Sequence, residues 1–114
     1  MIKVEMPYIG NVLSVNHCYT MTKHLKPEAR KWREALAFAV RNQFSLKTPL
    51  VKPVRVQVWG IFVNKREQPD LDNLAKIILD AVELGTGIND RDMRFEARGV
   101  RYGSPPTLII EIGE

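Results

Sequence analysis

The chain has 114 residues, 45% of them hydrophobic, which suits one domain over residues 1–114 with a core needing neither disulfides nor a structural metal. Its single cysteine, Cys18, excludes an intrachain disulfide and a cysteine-rich zinc cluster and fits a reducing, cytoplasmic setting, while the lack of any apolar run near 20 residues argues against a membrane partner. The 17 basic and 13 acidic residues leave a net charge of +4, which favours a polyanionic partner.

Residues 2–6 read as a short strand, and residues 7–26 as a polar connection longer than packing alone requires, as functional loops often are. Pro27 is placed to open a helix through about residue 44, in which Ala29, Trp32, Leu36, Ala39, Val40 and Gln43 recur at helical spacing. Arg30, Arg33 and Arg41 fall on its other side. Pro49 and Pro53 close the next linker, and residues 54–63, rich in β-branched and aromatic types, predict the central strand. Trp32 and Trp59 are expected in the core.

After a charged turn over residues 64–69, Asp72 suits the N-cap of a second helix with the apolar stripe Leu74, Ile77, Ile78, Ala81 and Val82. The segment Gly85-Thr86-Gly87 is expected to end it. Two further strands follow at residues 93–102 and 107–112, joined by the turn residues 103–106. The order β-α-β-α-β-β predicts an α+β, two-layer sandwich with two helices packed on a mixed β-sheet.

All five aspartates (Asp70, Asp72, Asp80, Asp90, Asp92) lie between positions 70 and 92. With them set aside, 17 basic residues stand against eight glutamates, so an acidic focus sits in a basic field. Cations of that field would hold a polyanion, and oxygen-only ligands select Mg²⁺ or Mn²⁺ over zinc. Asp70 and Asp72 lie where the central strand gives way to the second helix, where two carboxylates can converge on one cation. Asn73, Lys76, Asp80 and Glu83 share a helical stripe opposite the apolar one. Each motif has an ordinary reading too: Asp72 as a cap, Asp70 and Asp90-Arg91-Asp92 as charged turns, and Lys76–Asp80 as a surface i,i+4 pair. Their concentration in one window is what argues for chemistry. His17 and His24 lack partner motifs, and Cys18 reads as a small buried residue.

The stretch Asp70-Leu-Asp72-Asn73-Leu-Ala-Lys76-Ile-Ile-Leu-Asp80-Ala81 closely resembles the D-x-D-N-x-x-K-x-x-x-D-A motif of RusA-type Holliday junction resolvases. Ser14-Val-Asn16-His-Cys-Tyr19 and the helix start at Lys26-Pro27 resemble the family's N-terminal pattern, so the likeness spans most of the chain. It implies a structure-selective endodeoxyribonuclease of DNA recombination and repair: a homodimer that resolves four-way DNA junctions with Mg²⁺, Mn²⁺ substituting, and takes no small-molecule cofactor. It also implies that Asp70 and Asp72 are catalytic metal ligands and Lys76 a catalytic cation near the scissile phosphate.

The family's third aspartate belongs to an adjacent carboxylate pair, whereas this chain has Asp90-Arg91-Asp92. Counting back from Phe95 favours Asp92, taken here as the catalytic ligand, and counting forward favours Asp90, kept as an alternative ligand. Pro69 stands where relatives often carry a basic residue. Asn16, Lys23, Arg30, Arg33, Lys65, Arg66 and Asn73 are the candidate DNA-binding residues, with Arg98 and Arg101 as further basic positions. The alternatives are a catalytically impaired DNA- or junction-binding protein of the same fold and, from another class, a Mg²⁺-dependent phosphotransfer or nucleotide-sugar enzyme using Asp70 and Asp72.

Overall fold

Alternation of apolar and polar residues builds each strand of the sheet. In the computed structural model, which describes residues 1–44 and 49–113, β1 (Ile2–Pro7) turns Ile2, Val4 and Met6 inward and Lys3 and Glu5 to solvent. β2 (Val54–Phe62) buries Val54, Val56, Val58 and Phe62, and β4 (Thr107–Ile112) buries Leu108, Ile110 and Ile112. β3 (Met93–Tyr102) completes a four-stranded sheet in the order β1-β4-β2-β3. β4 runs antiparallel to both neighbours and β2 parallel to β3, so the sheet is mixed. A parallel pair needs a crossover, which α2 (Ala75–Thr86) provides. Part of the linker expected before β2 falls on residues 45–48, outside the described residues.

Both helices set their apolar stripes into one core with the inward strand residues. α1 (Pro27–Gln43) contributes Ala29, Trp32, Leu36, Ala37 and Val40, and α2 contributes Ile77, Ile78, Ala81 and Val82. Gly85 lies inside α2, not at its end: a Cβ there would approach the Ala37 carbonyl to 2.8 Å, so the missing side chain lets the helices close on each other. Termination falls to Gly87 alone, whose φ of 79° is the left-handed conformation glycine adopts without a Cβ penalty.

Two further expectations are corrected. Gln43 is exposed, and its side-chain amide binds both the N–H and the C=O of Lys3, satisfying the open edge of β1. Trp59 is not in the core. It alternates with buried Val58 and Gly60 and therefore points to the sheet face that no helix covers, where it is half-buried. Trp32 is buried as expected, donating its indole N–H to the Pro7 carbonyl at 2.7 Å. Among the described residues no helix is long and apolar enough to cross a membrane.

Candidate active site

The route from β2 to α2 is a chain of local hydrogen bonds that sets each acidic side chain. Asn64 Oδ1 accepts the Glu67 N–H at 3.0 Å and shapes a single 3-10 turn, Lys65–Glu67. The Tyr102 hydroxyl donates to Gln68 Oε1 at 2.7 Å and ties this segment to the end of β3. Asp70 then caps a second 3-10 turn, Leu71–Leu74, its Oδ1 accepting the Asp72 N–H at 3.0 Å. The cap is thus Asp70 and not Asp72, because the chain makes a 3-10 turn before α2 begins and so moves the first unpaired N–H groups upstream. Asp72 is left exposed with its carboxylate uncommitted to capping.

Two grooves meet at Asp70. One, of about 510 Å³, runs between the loop after β1 and the 66–73 segment, and its walls include Asn16, His17, Arg66, Asp70 and Asn73. The loop wall is pinned by the Val15 N–H, which donates to the Asn73 carbonyl at 2.9 Å, and by Tyr8, whose ring meets Phe62 edge-on at 5.2 Å. The other groove, also about 510 Å³, lies between Lys65–Asp70 and the edge strand β3 near Arg98. There the β2–β3 register slips: Val58 pairs with Ala97 and Trp59 with Gly99, so Arg98 is an extra residue. Bulges of this kind redirect side chains beside functional sites.

The outward stripe of α2 continues from this point. Lys76 Nζ donates to both carboxylate oxygens of Asp80, at 3.1 and 3.2 Å. That hydrogen bond is the main cause holding the Lys76 ammonium above its usual pKa, opposed by burial and reinforced by the charges of Asp80, Tyr19 and Asp90. Asp90 therefore lies within electrostatic reach of Lys76, and its N–H donates to Glu83 Oε1 at 3.2 Å on the same stripe. Asp92 is engaged elsewhere, its carboxylate 3.4 Å from Lys52 Nζ.

Among the expected site residues, the fold gathers Asn16, Arg66, Asp70 and Asn73 around one groove and adds Lys65 at the other. Asp72, Lys76, Lys23 and Arg30 are exposed and line neither groove. Arg33 is half-buried, with its Nε enclosed and unpartnered among the described residues. Sequence reasoning missed Gln68 and Tyr102, whose hydrogen bond joins positions far apart in the chain and leaves no local signal.

Among the described residues no three acidic, imidazole or thiol side chains gather into a metal-holding cluster. The donors still suit a hard cation, because Mg²⁺ is usually held by one or two carboxylates with water and substrate phosphate completing its shell. Asp70 and Asp72, two residues apart on one exposed turn, are donors of that kind.

Asp70 thus stands at the junction of two grooves, one carrying Arg66 and the other Lys65 and Arg98, on a mixed sheet backed by two helices. The chain's family follows from comparison: the family model described as endodeoxyribonuclease RusA matches residues 11–113, and the chain belongs to that family. No curated protein matches the chain. The family places it among endonucleases that act on Holliday junctions in DNA recombination, enzymes that generally use a divalent metal.

Proposed function

We propose that this chain is an active, Mg²⁺-dependent resolvase that cuts four-way DNA junctions as a homodimer. The observation that carries the reading is Asp70 standing where two grooves with basic side chains meet, two residues before exposed Asp72. Asp70 and Asp72 would hold the cation, and the 90–92 turn, which the described residues do not bring into one cluster with them, offers the candidates for a third carboxylate. Asp90 is the freer of the two for that role, since the Asp92 carboxylate is paired with Lys52 at 3.4 Å. When bound, Mg²⁺ would supply Lewis-acid activation of the scissile phosphate and of the attacking water.

The chain's own residues account for the rest. Arg66, Asn16 and Asn73 in one groove, and Lys65 and Arg98 in the other, contact backbone phosphates and fix the strand's register without reading its sequence. Lys76, held cationic by Asp80, offsets the negative charge that builds on the phosphate as water attacks. Cleavage of the P–O3′ bond leaves 5′-phosphate and 3′-hydroxyl ends. Paired nicks on opposed strands require two such sites related by a two-fold axis, which is the reason for a homodimer.

The test is cleavage of a synthetic mobile four-way junction beside a linear duplex of the same sequence, with Mg²⁺ and with EDTA. Paired, junction-restricted nicks that vanish with EDTA are expected. Tight junction binding with no nicks under either condition would replace this reading with that of a binding protein on the same fold.

A further inference from the structure

Between His17 and α1 the chain makes a small hairpin whose base is fixed and whose tip is bare. Cys18 is buried, and Tyr19 and Leu25, bridged to each other, rest half-buried against the core. Backbone hydrogen bonds brace what lies beyond. The Lys26 N–H donates to the Cys18 carbonyl at 2.8 Å, the Thr20 N–H to the His24 carbonyl at 2.7 Å and the Lys23 N–H to the Thr20 carbonyl at 2.9 Å. Thr20 Oγ1 also accepts the His24 N–H at 3.2 Å. Lys23 takes a φ of 63°, so a turn followed by one left-handed residue closes the loop over 21–23, a common hairpin geometry. The side chain this loop presents is Met21, the most exposed large apolar side chain among the described residues.

We propose that Met21 is a wedge that enters the base stack at the branch point of a DNA junction and makes binding selective for branched over linear DNA. The proposal deepens, and rests on, the junction reading above. Charge identifies the occupant: residues 7–26 contain no aspartate or glutamate, and Lys23 and Lys26 stand on the hairpin itself, so a polyanion is drawn to the flanks of an apolar tip. Position agrees. The hairpin follows directly on Asn16 and His17, which line the groove that holds Asp70, and the Val15 N–H pins that stretch to the Asn73 carbonyl at 2.9 Å. Met21 is four positions beyond His17. At ~3.3 Å per residue the tip stands within ~13 Å of the groove wall, or about four base steps.

Apolar side chains, methionine among them, wedge between base steps and unstack them. Unstacking is hardest in continuous duplex and easiest where bases are already displaced, as at a branch point. The same side chain therefore gains little from a linear duplex and more from a junction.

Binding is measured with EDTA present, so that no strand is cut, on a four-way junction and a linear duplex. Each carries 2-aminopurine, a base that brightens on unstacking, at the branch point or the matching position. The proteins are the wild type, Met21→Ser, Met21→Leu, Lys23→Ala and a Phe38→Ser control at an exposed apolar position of α1, each with a thermal melt. Met21→Ser is expected to weaken junction binding about tenfold, the effect of returning an apolar side chain to water, to leave duplex binding within about twofold and to abolish the fluorescence rise. It should melt with the wild type, since in the free protein the side chain is already in water. Met21→Leu should restore both signals, and Phe38→Ser should match the wild type. Lys23→Ala should instead weaken junction and duplex alike and lower the salt slope by about one. A wild type with no preference for the junction, a fluorescence rise that is absent or that persists in Met21→Ser, or equal losses on junction and duplex would overturn the wedge and leave the resolvase reading to its cleavage assay. A Met21-dependent rise in a protein that binds junctions but never nicks them with Mg²⁺ would overturn the enzymatic reading and leave the wedge standing.

Discussion

Asp70 carries two loads that substitution separates. Its Oδ1 accepts the Asp72 N–H at 3.0 Å, and its charge belongs to the metal site proposed above. Asparagine keeps the acceptor and loses the charge, so Asp70→Asn should fold with a stability change of only a few tenths of a kcal/mol. Asp70→Ala loses the cap as well, at a cost of about 1 kcal/mol, or a drop of about 4 °C in Tm for a domain of this size. Both variants should lose cleavage by about 10²-fold or more, since a charged group acting on the transition state is removed. Junction binding should survive and tighten by about twofold, because one negative charge ~8 Å from a phosphate in a water-like medium costs about 0.5 kcal/mol. Gel-based cleavage, equilibrium binding and thermal melts measure the three quantities. An Asp70→Asn protein that cuts within about tenfold of wild type would remove Asp70 from the chemistry, and equal melting losses for both variants would refute the cap argument.

Asp90→Asn and Asp92→Asn should differ: the first is expected to abolish cleavage, and the second to release only an exposed pair with Lys52, worth about 1 kcal/mol or less, and keep activity within a few-fold. The opposite ranking in the same cleavage assay would make Asp92 the third carboxylate. A further outcome concerns Glu96, whose carboxyl is held below its ordinary pKa of 4.5 chiefly by its hydrogen bonds to Arg55. A lowered pKa in the folded state stabilises above the unfolded value and is lost as pH falls through the folded one, so the Tm difference between wild type and Glu96→Gln should narrow as the pH drops below 4.5 and through the lowered value. Melts from neutral to acid pH measure it, and a gap that stays constant would show that the pair contributes no linked stability.

Local pattern predicted the elements well. The strands over residues 93–102 and 107–112 have those bounds in the structure, because alternation and flanking turn residues act over a few positions. The two-layer α+β arrangement follows from the same short-range signals. Trp59 was misplaced by its size, although its position in the alternation, between inward Val58 and Gly60, points it outward. The aspartate window was visible as a concentration of one residue type, and the family resemblance rested on its spacing. Which aspartate caps was not visible, since an N-terminal 3-10 turn and a direct helix start place the same letters differently.

By itself the sequence determined the elements and the inward face of each strand, both of which depend on neighbours within a few positions. Tertiary structure decided which of them meet. Lys52 reaches Asp92 because β2 and β3 start side by side, Val54 against Met93. Asp90 meets Glu83 because the turn after α2 folds back along the helix, and Asp70 faces both grooves because the loop after β1 and the edge of β3 flank it. Most of those meetings join residues far apart in the chain through the strand order β1-β4-β2-β3, a choice set by the burial energy of the whole sheet and written in no single segment.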